Sequence, residues 1–153
     1  MSIEDRIRTL EEIEAVRRVL AAVGATCDAP YDGAAFAGHF TEDGVMDLME
    51  MGVYTGRAAI QEFIDGMRAR VPFTMHYWDG YAIDVDGAEA TATWYGFETP
   101  NLNGTAHLGG LTHDATLKKI EGCWMVTRLG QQLHFMTPYD KGWVRQRVTD
   151  QTA

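Results

Sequence analysis

The sequence has little positive charge and no long hydrophobic run. Its 153 residues include 13 Lys and Arg against 22 Asp and Glu, a formal net charge of -9 at pH 7. Nucleic acids and anionic membranes are bound through clustered Lys and Arg, so neither is expected as a partner. No apolar run approaches the length that spans a bilayer. The first residues are charged and lack the apolar core of a signal peptide, so a cytoplasmic location is expected.

Motifs for metal, nucleophilic and phosphate chemistry are also missing. The two cysteines, Cys27 and Cys123, lack metal-ligand spacing and are interpreted as free thiols. No two histidines stand four residues apart, and no Cys-x-x-Cys, Gly-x-Ser-x-Gly or Walker pattern occurs. His107 and His113 share a predicted strand face but lie roughly 20 Å apart, too far to bind one ion. The sequence therefore predicts no metal and no cofactor.

The first half of the chain shows helical periodicity. Apolar residues recur at steps of three and four from Ile3 to Val23, which predicts an amphipathic helix that stops near Gly24. A turn and a short helix follow, and residues 42–44 are predicted to end that helix. The next segment, 45–56, indicates a short strand with a bend at Gly52, and 57–71 indicates a third helix.

After Pro72 the sequence becomes rich in β-branched and aromatic residues. Four such segments are separated by turn-like stretches, which predicts an antiparallel meander, and the tail after Thr137 predicts one loose helical turn. Helices followed by an antiparallel sheet indicate the α+β class. We expect a single domain over 1–153, in which a strongly curved, mostly antiparallel sheet wraps three helices as a cone-shaped barrel. A cavity between sheet and helices would be a natural ligand site.

Acid–base chemistry is the reaction type that the residues favour. His76 lies in an apolar strand, and its ordinary pKa of about 6.5 lets it take up and release a proton near neutral pH. A histidine base needs a partner that fixes its tautomer, and Asp28, after the first helix, is the candidate. The residues alone leave two plainer interpretations open: His76 as a packed core histidine, and Asp28 as a cap or Asx turn for the short helix.

Other polar residues are candidates by position. His113 shares a predicted strand face with His107, and would face the same cavity as His76 if both strand faces line it. Arg128 is the one arginine of the last strand, where it is either a surface charge or a cation that stabilises developing negative charge. Tyr31 and Tyr54 are possible proton donors or orienting hydroxyls, but core packing is the more common role for such residues.

Several segments together resemble a known family. They are the opening helix, Asp28 ahead of 31–44, and the stretches 53–64, 74–96 and 117–129. On these the chain resembles the SnoaL-like branch of the NTF2-like superfamily. It is most similar there to lyases of the scytalone dehydratase, dehydrochlorinase and bile acid dehydratase types. Asp28 and His76, 48 residues apart, match the Asp–His pair of those lyases. Arg128 falls where the dehydrochlorinase has an active-site arginine.

The resemblance also shows departures. Val23 stands where two of these lyases carry a polar residue. Asn101 falls near the second histidine of scytalone dehydratase, and His113 near its strand asparagine. The substrate-facing groups are therefore expected to be this chain's own.

The resemblance implies a cofactor-independent lyase that eliminates water or a halide from a small hydrophobic cyclic substrate. His76 would remove a proton from carbon, Asp28 would hold its ring, and Arg128 would stabilise the enolate or the leaving group. The expected substrate-binding residues are Tyr31, Tyr54, Trp78, Phe97, Asn101 and His113. A ketosteroid-isomerase-like activity and a non-catalytic ligand-binding role are the alternatives. The family's lyases are trimers, so a homotrimer is expected first and a dimer second.

Overall fold

The computed structural model describes residues 2–28 and 30–148. Within these residues lie four α-helices: α1 (Ile3–Thr26), α2 (Gly33–Gly38), α3 (Arg57–Arg70) and α4 (Gly142–Arg145). The seven strands are β1 (Phe40–Asp47), β2 (Val53–Thr55), β3 (His76–Asp86), β4 (Glu89–Glu98), β5 (Asn101–Leu102), β6 (Thr105–Ile120) and β7 (Cys123–Pro138). A 3₁₀ turn, Met49–Met51, separates β1 from β2. No helix in the described part of the chain is long and apolar enough to cross a membrane.

Helix α1 begins at a reciprocal capping box. The Ser2 hydroxyl accepts a hydrogen bond from the Asp5 backbone N–H, and the Asp5 carboxylate accepts one from the Ser2 N–H. The second half of the helix buries Val16, Leu20 and Val23 against the sheet. The helix runs on to Thr26, past the stop predicted near Gly24.

Gly24 serves packing rather than termination. A Cβ at this position would lie 3.0 Å from Cε3 of Trp78, which is tighter than ordinary van der Waals contact. The missing side chain therefore lets the Trp78 ring of β3 approach the backbone of α1. This contact brings the end of α1 next to the start of β3.

The sheet has the strand order β2-β1-β7-β6-β4-β3, with β5 paired to β6 off this path. The pairing of β1 with β7 is parallel, and the other pairings are antiparallel. The predicted α+β class is confirmed, with helices packed on a curved, mostly antiparallel sheet. The sheet does not close, since β2 and β3 remain its edges. Bulges interrupt the registers of β3 with β4 and of β6 with β7.

The early strand differs from its prediction. Residues 42–44 do not end the short helix, which stops at Gly38, but lie inside β1. They look like a turn in the sequence because Glu42 and Asp43 are exposed where the register against β7 shifts, between Phe40 and Val45. The predicted strand of 45–56 is in fact two, because the 3₁₀ turn folds β2 back onto β1.

The core fills the space between the helices and the concave face of the sheet. Its largest fully buried side chains include Trp94 from β4, Phe40 from β1, Leu20 from α1 and Ile60 from α3. The single turn α4 lies where the sequence predicted a loose turn, and the last residues of that predicted segment, 149–153, lie outside the described part.

Candidate active site

Asp28 lies directly after Cys27, the residue that ends α1. The chain then turns sharply, with the Tyr31 backbone N–H bonded to the Asp28 carbonyl at 2.8 Å. Tyr31 has a φ of 59°, a left-handed conformation that is rare without glycine. Asp32, not Asp28, caps α2, because its side chain accepts the Ala35 N–H at 2.9 Å. The Asp28 carboxylate is thus free of the capping role that its sequence position allowed.

The structure brings Asp28 and His76 together. His76 is the first residue of β3, and its ring nitrogen Nδ1 lies 2.8 Å from Asp28 Oδ1. The same oxygen accepts the His76 backbone N–H, also at 2.8 Å. Two bonds to one oxygen fix both the start of the strand and the orientation of the ring. The side chains of His76 and Asp28 are only 17% and 26% exposed.

A second carboxylate, which the sequence interpretation missed, holds the other side of the ring. Glu98 Oε2 lies 2.9 Å from His76 Nε2, and the Glu98 side chain is 15% exposed. Glu98 ends β4 and is the direct cross-strand neighbour of His76. A signal for it existed, because β4 buries alternate residues from Ala90 to Gly96 and Glu98 continues that face. A carboxylate on an apolar strand face requires a partner.

His76 therefore lies between two carboxylates, and this sets its charge. Burial lowers the pKa of His76, whereas hydrogen bonds to Asp28, Cys27 and Glu98 raise it, and the net pKa is well above the ordinary 6.5. At neutral pH the resting ring is then an imidazolium, with Nδ1–H donating to Asp28 and Nε2–H donating to Glu98.

A stack of aromatic rings lies beside this centre. The Trp78 ring stands edge-on to His76, with centroids 6.3 Å apart, and contacts the His113 ring at 4.9 Å. His113 also stacks on Trp94 at 5.2 Å. Burial lowers the pKa of His113 to about 3, so this ring is neutral across the physiological range. His76 and His113 thus differ in charge because one has carboxylate partners and the other has aromatic neighbours.

Comparison with known proteins places this chain in a family. The family described as SnoaL-like domain matches residues 8–130. The chain belongs to the SnoaL-like family. The resemblance found in the sequence is thereby confirmed. No curated protein gives a significant sequence match to this SnoaL-like chain.

Solved structures share the fold. An NTF2-like protein with a cystatin-like fold from Novosphingobium aromaticivorans is 25% identical, with a TM-score of 0.74 over 86% of this chain and 87% of that one. A hexachlorocyclohexane dehydrochlorinase, LinA type 2, is 16% identical, with a TM-score of 0.80 over 90% and 93%. A candidate scytalone dehydratase from N. aromaticivorans is 20% identical, with a TM-score of 0.77 over 94% and 96%. At these low identities the last two show the fold alone.

Tyr31 borders the candidate site, but its hydroxyl already donates a hydrogen bond. It donates to the Val71 carbonyl at 2.6 Å, and burial raises the pKa of Tyr31 to about 12. The predicted proton-donor role would require this hydrogen bond to break. Tyr54 is also engaged, since its hydroxyl donates to the Met51 carbonyl at 2.8 Å and its ring packs on Phe63.

Two further predicted residues form their contacts away from the His76 ring. Phe97 is 40% exposed and packs against Tyr77 on the outer face of the sheet, because the two-residue period of β4 points it away from Glu98. Phe97 was expected to line the site, but its side chain lies on the opposite face of the sheet. Arg128 forms ion pairs with Asp47 and Asp114, whose carboxylates occupy its guanidinium. Its catalytic role stays a prediction.

Some buried polar atoms have no hydrogen-bond partner within the described residues. They include the predicted ligand-binding atoms Trp78 Nε1, His113 Nε2 and Asn101 Oδ1. Such atoms are uncommon in folded proteins and are the groups that a polar ligand would satisfy. Their predicted role in substrate binding stays a prediction.

One group of possible metal ligands occurs in the described part of the chain. Cys27, Asp28 and His76 hold their ligand atoms within 4.8 Å of one another, a cluster that sequence spacing did not reveal. Cys27 Sγ lies 3.5 Å from His76 Nδ1. A metal ion here would have to replace the Nδ1–H proton and break the hydrogen bond to Asp28.

Two of the surface grooves in the described part of the chain are well defined, and neither is lined by His76. One of about 790 Å³ lies between α1 and the turn at Gly122, and one of about 380 Å³ lies beside Trp143. Next to His76 the space between helix and sheet is occupied by the rings of Trp78, His113 and Trp94. The predicted cone-shaped ligand cavity therefore stays a prediction.

Proposed function

We propose that this protein is a cofactor-independent lyase of the dehydratase or dehydrohalogenase type. Its substrate is a small hydrophobic cyclic molecule, from which His76 removes a proton on carbon. The observation that supports this most is the double hydrogen bond from His76 to Asp28 Oδ1, which fixes the tautomer and orientation that a histidine base requires. The dehydrochlorinase and candidate dehydratase of similar fold agree with this reaction class.

Proton removal needs a neutral Nε2, so the resting state must change before reaction. Nε2 now contacts Glu98, and the ring is charged at neutral pH. A bound apolar substrate would exclude water and make the charged pair of His76 and Glu98 less favourable. Once the Nε2 proton has left, Asp28 still holds the ring at Nδ1, and Nε2 can accept a proton from the substrate.

The remaining roles in the proposal follow from position. Trp78 forms part of the apolar wall, since its ring lies beside His76 on the same face of β3. Arg128 would stabilise the enolate or the leaving group if substrate binding released it from Asp47 or Asp114. A homotrimer, or a dimer as second choice, and a cytoplasmic location belong to the same proposal. The free thiols of Cys27 and Cys123 fit a reducing compartment.

Mass spectrometry of products tests the reaction class. The probes are cyclic ketones that carry a hydroxyl or a chloride on the carbon β to the carbonyl, because a carbonyl acidifies the adjacent C–H. A lyase yields the unsaturated ketone and loses water or hydrogen chloride. An isomerase acting on a β,γ-unsaturated ketone gives a product of unchanged mass, and that result without elimination would contradict the proposal.

A further inference from the structure

Glu98 is a carboxylate with no structural explanation apart from His76. In the described residues, His76 is the one cationic side chain with which Glu98 forms an ion pair. Burying a carboxylate is costly, and a buried ion pair is often no more stabilising than apolar residues in its place. The presence of Glu98 on an apolar strand face therefore points to a role in the chemistry of its partner.

The fold makes specific room for this carboxylate. Gly109 of β6 is the cross-strand neighbour of Glu98 on the side opposite His76. A Cβ at Gly109 would lie 2.7 Å from Glu98 Cγ and 2.9 Å from Oε1, closer than real Cβ atoms approach other atoms. Glu98 is thus placed by a glycine on one strand and a histidine on the other. Its carboxylate is held at the nitrogen where proton transfer to or from a substrate would occur.

We propose that Glu98 is the general acid of the reaction, working with His76 as general base. This inference rests on the proposed lyase function and adds a second catalytic residue to it. When an apolar substrate covers the pair, the Nε2 proton moves across the 2.9 Å contact to Glu98 Oε2, which leaves a neutral histidine and a carboxylic acid. Removing charge separation from a dry site favours this transfer.

The elimination then returns both residues to their resting states. Nε2 accepts the proton from the carbon α to the carbonyl, and the electron pair of that C–H bond forms the enolate and then the carbon–carbon double bond. As the C–O bond breaks, Glu98 gives its proton to the departing hydroxyl, which leaves as water. The ring ends as imidazolium and Glu98 as carboxylate, so no further proton transfer is needed.

This mechanism assigns a substrate class. Hydroxide is a poor leaving group and needs a proton, whereas chloride leaves as a stable anion and needs none. A general acid beside the base is therefore useful to a dehydratase and of no use to a dehydrochlorinase. The structure assigns to this site a β-hydroxy carbonyl compound rather than a halogenated ring.

The test compares Glu98→Gln with wild type on the matched hydroxy and chloro ketones. Glu98→Gln keeps the size of the side chain but cannot donate a carboxyl proton. We expect kcat/KM for the hydroxy ketone to fall by about 10²–10⁴-fold and kcat/KM for the chloro ketone to change by less than about tenfold. Glu89→Gln, on the same strand and paired to the exposed Lys118, is the control and should leave both rates unchanged.

The other variants separate failure of this inference from failure of the proposed function. His76→Ala should lose both eliminations, because the base is needed for either leaving group. Equal losses on both ketones in Glu98→Gln, or no loss on either, would overturn the general-acid role while leaving the lyase assignment intact. Absence of elimination by the wild type on both ketones would overturn both. If Glu98→Gln does not fold, Glu98→Asp supplies the comparison, with a smaller loss expected on the hydroxy ketone alone.

Discussion

Asp28 Oδ1 accepts two hydrogen bonds from a single residue, the backbone N–H and the Nδ1–H of His76, each at 2.8 Å. One oxygen at the end of α1 thereby anchors both the first residue of β3 and the ring that the residue carries. The second ring nitrogen is held by Glu98 from the neighbouring strand. The position of the ring depends on three elements that are distant in sequence, and each can be altered separately.

Replacing Asp28 with Asn should lower the pKa of His76. The amide oxygen can still accept one N–H, but the negative charge that stabilises the imidazolium is gone. NMR titration of isotope-labelled histidine measures this directly in the folded protein. The outcome that would contradict the account is an Asp28→Asn protein whose His76 titrates as in the wild type.

The same variant should change how stability depends on pH. The folded protein holds the His76 proton more tightly than the unfolded chain, whose histidine has a pKa near 6.5. This stabilisation is complete below that pH and is lost as pH rises through the higher pKa of the folded state. Above neutral pH, the free energy of unfolding measured with denaturant should therefore decline less with rising pH in Asp28→Asn than in the wild type.

His113 should destabilise the protein in acid. Its pKa is about 3 in the folded state and 6.5 in an ordinary setting, so between these values the unfolded chain binds a proton that the folded chain does not. The free energy of unfolding should fall with decreasing pH, by at most about 1.4 kcal/mol per pH unit from this residue. Between these two pKa values, the free energy of unfolding measured by denaturant titration should depend less steeply on pH in His113→Leu than in the wild type. An unchanged slope would contradict the neutral, buried state.

Adding a methyl group at Gly109 should displace Glu98 from His76. The new Cβ would meet Glu98 Cγ at 2.7 Å, so the carboxylate must move. Gly109→Ala should lower the pKa of His76, reduce hydroxy-ketone elimination more than chloro-ketone elimination, and cost about 1–3 kcal/mol of stability. The matched control is Gly66→Ala in α3, where the nearest atom lies 3.7 Å away. That control should gain about 0.5–1 kcal/mol because alanine favours the helix.

The outer face of the sheet should carry a contact between copies of the chain. Tyr95 is 68% exposed there, close to the exposed side chains of Tyr77 and Phe97. A cluster of exposed aromatic residues is typical of an interaction surface. Sedimentation velocity should show an oligomer for the wild type and a shift toward monomer for Tyr95→Ser, but not for the exposed control Tyr139→Ser. A monomeric wild type would refute the proposed assembly.

The parts of the fold with local periodicity could be predicted from the sequence. Helices α1 and α3 and the four long strands of the meander follow from apolar spacing, turn residues and strand propensity. The start of β1 could not be predicted, because Glu42 and Asp43 are exposed at a bulge whose position depends on pairing with β7. The sequence predicts Gly24 as a helix stop because its contact with Trp78 is a tertiary one, which local sequence does not show.

The candidate site, like the fold, could be predicted from the sequence only in part. The residues make Asp28 a candidate partner of His76, and the family resemblance supports the pair, since a separation of 48 residues carries no geometric information by itself. Phe97 is expected at the site and Glu98 is not, although the alternation along β4 places Glu98 on the buried face and Phe97 on the exposed one. That Glu98 reaches Nε2 depends on the register of β3 with β4 and on the glycine at 109, which only the folded structure provides.

The measurement that tests the central claim most directly is the kcat/KM of His76→Ala on the cyclic hydroxy ketone, compared with that of the wild type. If His76 is the base held by Asp28, the loss should be about 10²–10⁴-fold or more, measured on His76→Ala protein that is shown to be folded. Asp28→Asn should lose activity in the same assay. A folded His76→Ala protein that eliminates water at close to the wild-type rate would contradict the account.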